Sequence, residues 1–492
     1  MWIRKCHQRS RWVTLLAVGA LFVAACAASP GVESTGAVRT PVDTLPAPES
    51  TTVPVPASDA DGVGDTLFPA LGNPGIDVVH YDLDLAYDTA KDSVAGTVTI
   101  DLRATDDLAS FTLDAVDLDV QSVSVDSVPA KFELDSPELR IVPPTPIASG
   151  EQSTVAVTYS AHTGGRPSPI GFEVGWSETA VGSYVLNEPD GARYWLPCND
   201  HPSDKATYRI ALHVPAGVTA IANGALAEHT TNPAGDTWVW AEDEPMATYL
   251  LQVITGDYEV VSSNATDGLP LVSAVLRSDR ARLDQYLAIT SQQLDAFTKW
   301  FGPYPLDRYG LAITDSPAGF AMETQGRSMF SRDDLPASTP GYIEHLFLAH
   351  ELAHQWFGDA VSPGRWTDVW LNESFATYAE WLWLDKAGLG SLQTAADNAL
   401  KSRGPGATGA PVVSQLFGPN VYEGGAVVLH ALRLTIGDDA FFRTLQLWVS
   451  RNHGQSHTTS DFIALVSSES GRDLTSFFDT WLYASVVPTA YP

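Results

Sequence analysis

The hydrophobic period changes once along this 492-residue chain, and that change limits the fold more than any other feature. Before about residue 256 apolar side chains alternate with polar ones. Tyr81, Leu83, Leu85 and Tyr87 alternate with Asp82, Asp84 and Asp88. Val98, Ile100 and Leu102 alternate with Thr97, Thr99, Asp101 and Arg103, and Tyr208, Ile210, Leu212 and Val214 with Arg209 and His213. Residues two apart share one face of a strand, so these runs, separated by Gly, Pro and Asp turns, predict an antiparallel β-domain over 66–256. Beyond it Leu283, Leu287, Leu294, Phe297 and Phe301 fall on one helical face, stopped by Gly302-Pro303. Helical patterns recur over 342–357, 372–386, 422–435, 439–449 and 459–468. Residues 257–492 therefore predict a mostly helical second domain with a small strand element around 310–330. The expected class is α+β in two domains, without internal repeats.

The first 65 residues read differently. Arg4, Lys5, Arg9 and Arg11 precede an apolar run from Trp12 to Ala25 that is short for a bilayer span. It ends Val23-Ala24-Ala25-Cys26, which resembles the lipobox of bacterial lipoprotein signal peptides. Residues 1–25 are then a signal peptide, and Cys26 becomes the lipid-bearing N-terminus of an exported protein on the extracytoplasmic face of a bacterial cell membrane. Pro41, Pro46, Pro48, Pro54 and Pro56 stiffen a segment over 26–65 that reads as a tether. With Cys6 removed and Cys26 lipidated, Cys198 is the one remaining thiol, so no intramolecular disulfide is expected, and Cys198 reads as a small buried hydrophobe. There are 59 acidic residues against 28 Lys and Arg, a formal charge of −31, which argues against nucleic acid as a partner. Nothing calls for an obligate protein partner.

The chemistry concentrates in His350-Glu351-Leu352-Ala353-His354. Spacing of four puts both imidazoles on one helix face, where they can grip a single Zn²⁺, and Glu351 stands one residue round, able to reach a water. Pro363-Gly364 is read as the helix break. A second helix starting near Leu371 then returns Glu373 as third ligand, leaving the open position that catalytic zinc requires. His345 reads as solvated, and Asp359 and Asp368 are candidate acceptors for the zinc histidines, between which spacing does not choose.

HELAHQWFGD over 350–359, followed by Trp370-Leu371-Asn372-Glu373, resembles the aminopeptidase N family of zinc metallopeptidases. The resemblance extends over roughly 67–492. Ala321-Met322-Glu323, flanked by Phe320 and Thr324, is similar to the family's G-A-M-E-N motif, whose Glu grips the substrate's α-amino group. Residues 421–426, VYEGGA, resemble its Y-E-K-G-A segment, and residues 188–200, EPDGARYWLPCND, the segment that brings a second amine-binding Glu. The resemblance implies a saddle-like β-domain followed by a thermolysin-like catalytic domain. It implies one Zn²⁺ per chain on His350, His354 and Glu373, with Glu351 as general base and Tyr422 as oxyanion donor. Glu323 and Glu188 would hold the amine of peptide substrates with a free N-terminus. Taken alone, Tyr422 reads as a core aromatic on a helix. Phe320 and Thr324 depart from the family's Gly and Asn, which bears on the amine pocket. Ser374 replaces a common Gly, a change expected to be silent. Longer family members continue into a helical domain that roofs the site, so a more open cleft is expected here. The activity implied is that of a zinc aminopeptidase. The alternatives are a zinc endopeptidase on the same metal site, distinguished by activity on N-acetylated peptides, and a non-catalytic peptide-binding lipoprotein, against which Glu351 and Tyr422 speak.

Overall fold

The computed structural model describes residues 62–319 and 321–492. The signal peptide, Cys26, most of the Pro-rich segment and Phe320 lie outside them.

The first domain is built on an eight-stranded sheet whose centre is Ile76–Asp88 and Ser93–Ala104. The alternation in the sequence is the alternation in space. Leu83, Leu85, Val98 and Ile100 are buried, while Asp84 and Asp101 face solvent. A second, five-stranded sheet packs against it through Trp240, whose indole donates to Ala220 O (3.0 Å), and through Tyr87 on Trp176 (ring centroids 5.1 Å). Cys198 is fully buried and makes no disulfide. One pairing departs from the expected antiparallel pattern: Ile76–Asp88 runs parallel to Ala206–Val214, with Tyr81 opposite Tyr208 and Leu83 opposite Ile210. A parallel neighbour needs a long crossover. Here the connection is the run of strands from Ser93 to Leu186, after which the chain returns to pair beside Ile76–Asp88.

The expected tether ends earlier than residue 65. Asp65 is buried, and its carboxylate accepts from the backbone N–H groups of Leu67 (2.7 Å), Phe68 (3.2 Å) and, in the second domain, Trp366 (2.7 Å). Burial penalises that charge, but the partner His201 and these N–H groups outweigh it and hold the carboxyl below its usual range. Composition reads an Asp as solvated, and only the fold supplies its partners.

The second domain opens with Tyr258–Asn264 and Pro270–Leu276, which join Leu311–Thr314, Ala321–Met322 and Ser328–Ser331 in a five-stranded sheet. The helices follow: α1 (Arg280–Phe301), α2 (Tyr342–His354), α3 (Trp370–Lys386), α4 (Leu392–Ser402), α5 (Glu423–Ile436), α6 (Asp438–Asn452) and α7 (Thr459–Ser470). The sequence periodicity does not mark α4, because its core-facing side buries only Ala396 and Ala399. Nor is Pro363-Gly364 the helix breaker. α2 stops at His354, and Pro363 instead closes a short strand, Val361–Pro363, paired with Gln455–His457.

Candidate active site

α2 and α3 lie side by side, and their packing brings His350, His354 and Glu373 together. Glu373 Oε2 is 3.2 Å from His350 Nε2 and 3.6 Å from His354 Nε2. All three side chains are buried. The outer ring nitrogens are held by acceptors: His350 Nδ1 donates to Glu380 Oε1 (2.6 Å) and His354 Nδ1 to Phe357 O (3.2 Å). That fixes both tautomers with the Nε2 lone pairs turned inward. Two imidazole nitrogens and a carboxylate oxygen converging in this way match the donor set of a zinc site with an open position.

Glu380 is therefore the acceptor that the sequence reading sought at Asp359 or Asp368. Asp368 bonds Thr459 and Arg365 instead, and neither carboxylate is hydrogen-bonded to a zinc histidine; Asp359 meets His354 only through its backbone N–H, which donates to His354 O (3.0 Å). The signal for Glu380 lies in the sequence, since it stands seven residues after Glu373 and so on the same face of α3. His345 is half-buried rather than freely solvated. Its ring stacks on Trp383 (5.9 Å) and its Nδ1 accepts from the Trp383 indole (3.2 Å).

Glu351 is buried beside this cluster, and its carboxyl is raised well above the usual range. Burial is the main cause; His350 opposes it, and Glu323 and Glu373 reinforce it. Tyr422 does not sit within a helix but caps α5, in a non-helical conformation. Its ring stacks almost parallel on His350 (5.7 Å, 8°), and its hydroxyl is hydrogen-bonded to Glu373. Ser374, expected to be a silent replacement, is buried and bonded. Its hydroxyl donates to Val421 O (2.6 Å), tying α3 to the residue before Tyr422. Gly425 allows this approach, because a Cβ there would lie 1.7 Å from Ser374 Oγ.

Glu188 and Glu323 arrive from different domains. Glu188 follows the strand Gly182–Leu186, where Asn187 anchors the chain by donating to Leu251 O (3.0 Å) and accepting from the Trp195 indole (2.9 Å). Glu323 follows the edge strand Ala321–Met322, and its main-chain oxygen accepts from Gln355 Nε2 (3.2 Å). Carboxylate oxygens of Glu188, Glu323 and Glu373 lie within 4.8 Å of one another. Glu188 Oε1 and Glu323 Oε1 are buried without a hydrogen-bond partner among the described residues. Burial first, then the neighbouring carboxylates, raises Glu188 well above the usual range; Glu323 is raised chiefly by burial.

Thr324, one of the two departures beside Glu323, serves the domain boundary. Its hydroxyl donates to Arg327 O (2.5 Å) and accepts from Gln252 Nε2 of the strand-rich domain (2.7 Å). Arg327, wholly buried, reaches Ala222 O and Gln252 Oε1 on the same domain (2.8 and 2.9 Å). Phe320, the other departure, lies outside the described residues.

Comparison with known proteins agrees with this arrangement. The Peptidase family M1 domain is matched over residues 286–481 and the Peptidase M1 N-terminal domain over 78–250. Aminopeptidase M1 of Arabidopsis thaliana is 28% identical over 444 residues, covering 82% of this chain and 49% of the plant protein. Aminopeptidase N of Lactococcus lactis subsp. lactis is 29% identical over 440 residues, covering 82% and 50%. The chain thus spans about half the length of these curated relatives. It matches nearly all of a solved structure, that of a mutant M1 zinc metallopeptidase from Deinococcus radiodurans bound to a Tyr-Ser-Ala substrate. There the TM-score is 0.77 and the identity 30%, over 88% of this chain and 99% of that one. With both domain types matched in order and one relative aligned almost end to end, the chain belongs to peptidase family M1.

Proposed function

We propose that the chain is a zinc-dependent aminopeptidase that removes N-terminal amino acids from peptides. The observation that carries this reading is the pair of buried oxygens of Glu188 and Glu323, neither hydrogen-bonded among the described residues, beside the His350–His354–Glu373 cluster; the Glu323 oxygen lies 3.8 Å from His354 Nδ1. Two desolvated carboxylates are costly unless a cation arrives, and a substrate's α-ammonium supplies the charge and three donors. The spacing between that anchor and the metal cluster then sets which peptide bond is cut.

His350, His354 and Glu373 would hold the zinc, which would supply Lewis acidity for the scissile carbonyl and for a water. Glu351 takes the proton from the attacking water and hands it to the leaving amine; its raised pKa suits a group that must hold a proton between the two steps. Tyr422 donates its hydroxyl to the developing oxyanion, with its ring held on His350 and the carbonyl of the preceding Val421 held by Ser374. Glu188 and Glu323 fix the amine end.

The test compares aminoacyl-arylamides with their N-acetylated partners, using zinc-loaded protein and its Glu351→Gln variant. Turnover is expected only with the free amine, and the variant should lose about 10²–10⁴-fold in kcat. Equal cleavage of acetylated substrates would instead establish an endopeptidase, and zinc binding without turnover a peptide-binding protein. We further propose that the protein is exported and lipid-anchored through Cys26 on the extracytoplasmic face of a bacterial cell membrane. Support comes from the basic stretch, apolar run and Val-Ala-Ala-Cys order alone. Partition into a detergent phase should be lost in Cys26→Ser, and its persistence would refute the anchor.

A further inference from the structure

We propose that Tyr249, a residue of the strand-rich domain, is a positioning residue for the metal centre, because its hydroxyl ties together the two segments that carry His354 and Glu373. This inference rests on the zinc site proposed above.

Tyr249 sits in a short turn, Thr248–Leu250, and is fully buried, its ring set edge-on to Trp366 (5.3 Å). Its hydroxyl donates to Gly358 O (3.0 Å) and accepts from Asn372 Nδ2 (3.3 Å). A phenol has one proton to give, and both of its roles are therefore used across the domain boundary. Burial and the carboxylates of Glu323 and Asp359 hold the hydroxyl protonated, so it stays a donor.

One partner stands next to a residue that orients a ligand, the other next to a ligand itself. Gly358 follows Phe357, whose carbonyl takes the Nδ1 proton of His354 and so turns His354 Nε2 toward the cluster. Asn372 precedes Glu373 in the first turn of α3. The two segments also touch at Gly358, which has φ +135°; a Cβ there would lie 3.2 Å from Asn372 Nδ2 and 3.5 Å from His354 Nδ1. Strand-rich-domain contacts with the turn continue through Lys205, whose ammonium donates to Asp359 O (2.5 Å) and Ala360 O (3.4 Å).

The two ends of the tie are unequal. Gly358 O also accepts from Ser362 Oγ (2.7 Å), so it keeps a partner if Tyr249 is lost. Asn372 Oδ1 has no hydrogen-bond partner among the described residues, so its side chain is held through Nδ2 alone. Removing the hydroxyl therefore frees the residue beside Glu373 more than the turn beside His354. The expected defect is a wider, more mobile set of ligands.

The experiment uses the full chain and measures the zinc dissociation constant by competition with a chromophoric chelator. Melting of the zinc-free protein, kcat and KM are measured alongside. Tyr249→Phe should weaken zinc binding about tenfold, in the range seen when groups supporting a ligand are removed, with KM within about twofold of wild type. Asn372→Ala breaks the same tie from the other end and should give a similar loss. The double variant should be no worse than the more affected single one. Tyr208→Phe is the control: it removes another buried hydroxyl bond of the strand-rich domain, to Met246 O (3.2 Å), and should lower melting without touching zinc affinity. Unchanged zinc affinity in Tyr249→Phe, or an equal loss in Tyr208→Phe, overturns the proposal. A wild-type protein that binds zinc but cleaves no aminoacyl-arylamide would defeat the aminopeptidase reading and leave the zinc comparison intact. A wild-type protein that binds no zinc would overturn both.

Discussion

His350, His354, Glu373 and Glu380 occupy two neighbouring helices within a span of 30 residues, whereas Glu188 and Glu323 come from different domains and meet only when those domains close on each other. The metal half takes its geometry from helix periodicity: the histidines stand four positions apart, and Glu373 and Glu380 of α3 seven. The amine half takes its geometry from a boundary held by buried polar side chains. Arg327, Gln252, Thr324 and Asn223 cross it with hydrogen bonds of 2.7 to 3.1 Å. A centre that must bind a metal tightly and an anchor that must accept and release a charged amine thus sit on supports of different kinds. Tyr249 qualifies the division, since it carries the boundary into the metal half.

The two halves should separate under mutation, and the largest effect is expected on the amine side. Glu323→Gln keeps the shape and removes one charge from the anchor. Loss of a charge-assisted hydrogen bond of about 1.5–3 kcal/mol should lower kcat/KM for free-amine substrates by about 10- to 100-fold, leaving zinc affinity near wild type. Equal losses in zinc affinity and kcat/KM would show that the halves are one unit and would break the comparison.

Glu380→Gln probes the other side. The amide oxygen still accepts from His350 Nδ1 but no longer carries a charge, so zinc affinity should fall by about tenfold, at the low end for such a substitution. KM at saturating zinc should not move. A shift in KM with unchanged zinc affinity, measured with the same chelator competition, would place Glu380 in substrate binding instead.

How far each half was legible follows the same division. H-E-x-x-H and the Glu nineteen residues on point to the metal ligands by spacing alone, and Glu380 was within reach by one more step of the same period. Glu188 beside Pro189 carries no such signal, and only the family likeness singled it out. Strand alternation gave the faces of the large sheet, with Leu83, Leu85, Val98 and Ile100 inward. It could not give the parallel pairing of Ile76–Asp88 with Ala206–Val214, which depends on how the intervening chain returns. Asp65, Gln252, Arg327 and Tyr249 escaped because each acts through a partner far away in the sequence. A polar residue is read as exposed until the fold shows what it bonds.

Ser374 sits on the seam between these cases, local to Glu373 in sequence yet acting on Val421 across the fold, and it supplies the finest test. Ser374→Ala deletes the hydroxyl that donates to Val421 O and leaves that buried carbonyl without this donor. The cost should be about 1–3 kcal/mol in stability, read as a fall in melting temperature. If the bond also holds Tyr422 in place, kcat should drop severalfold with KM and zinc affinity unchanged. The Tyr422→Phe background then decides between the two roles. There the hydroxyl that Ser374 would position is already gone, so adding Ser374→Ala should cost stability but no further kcat. A kcat loss that persists in that background would assign Ser374 to α3 itself, and so to the metal half alone.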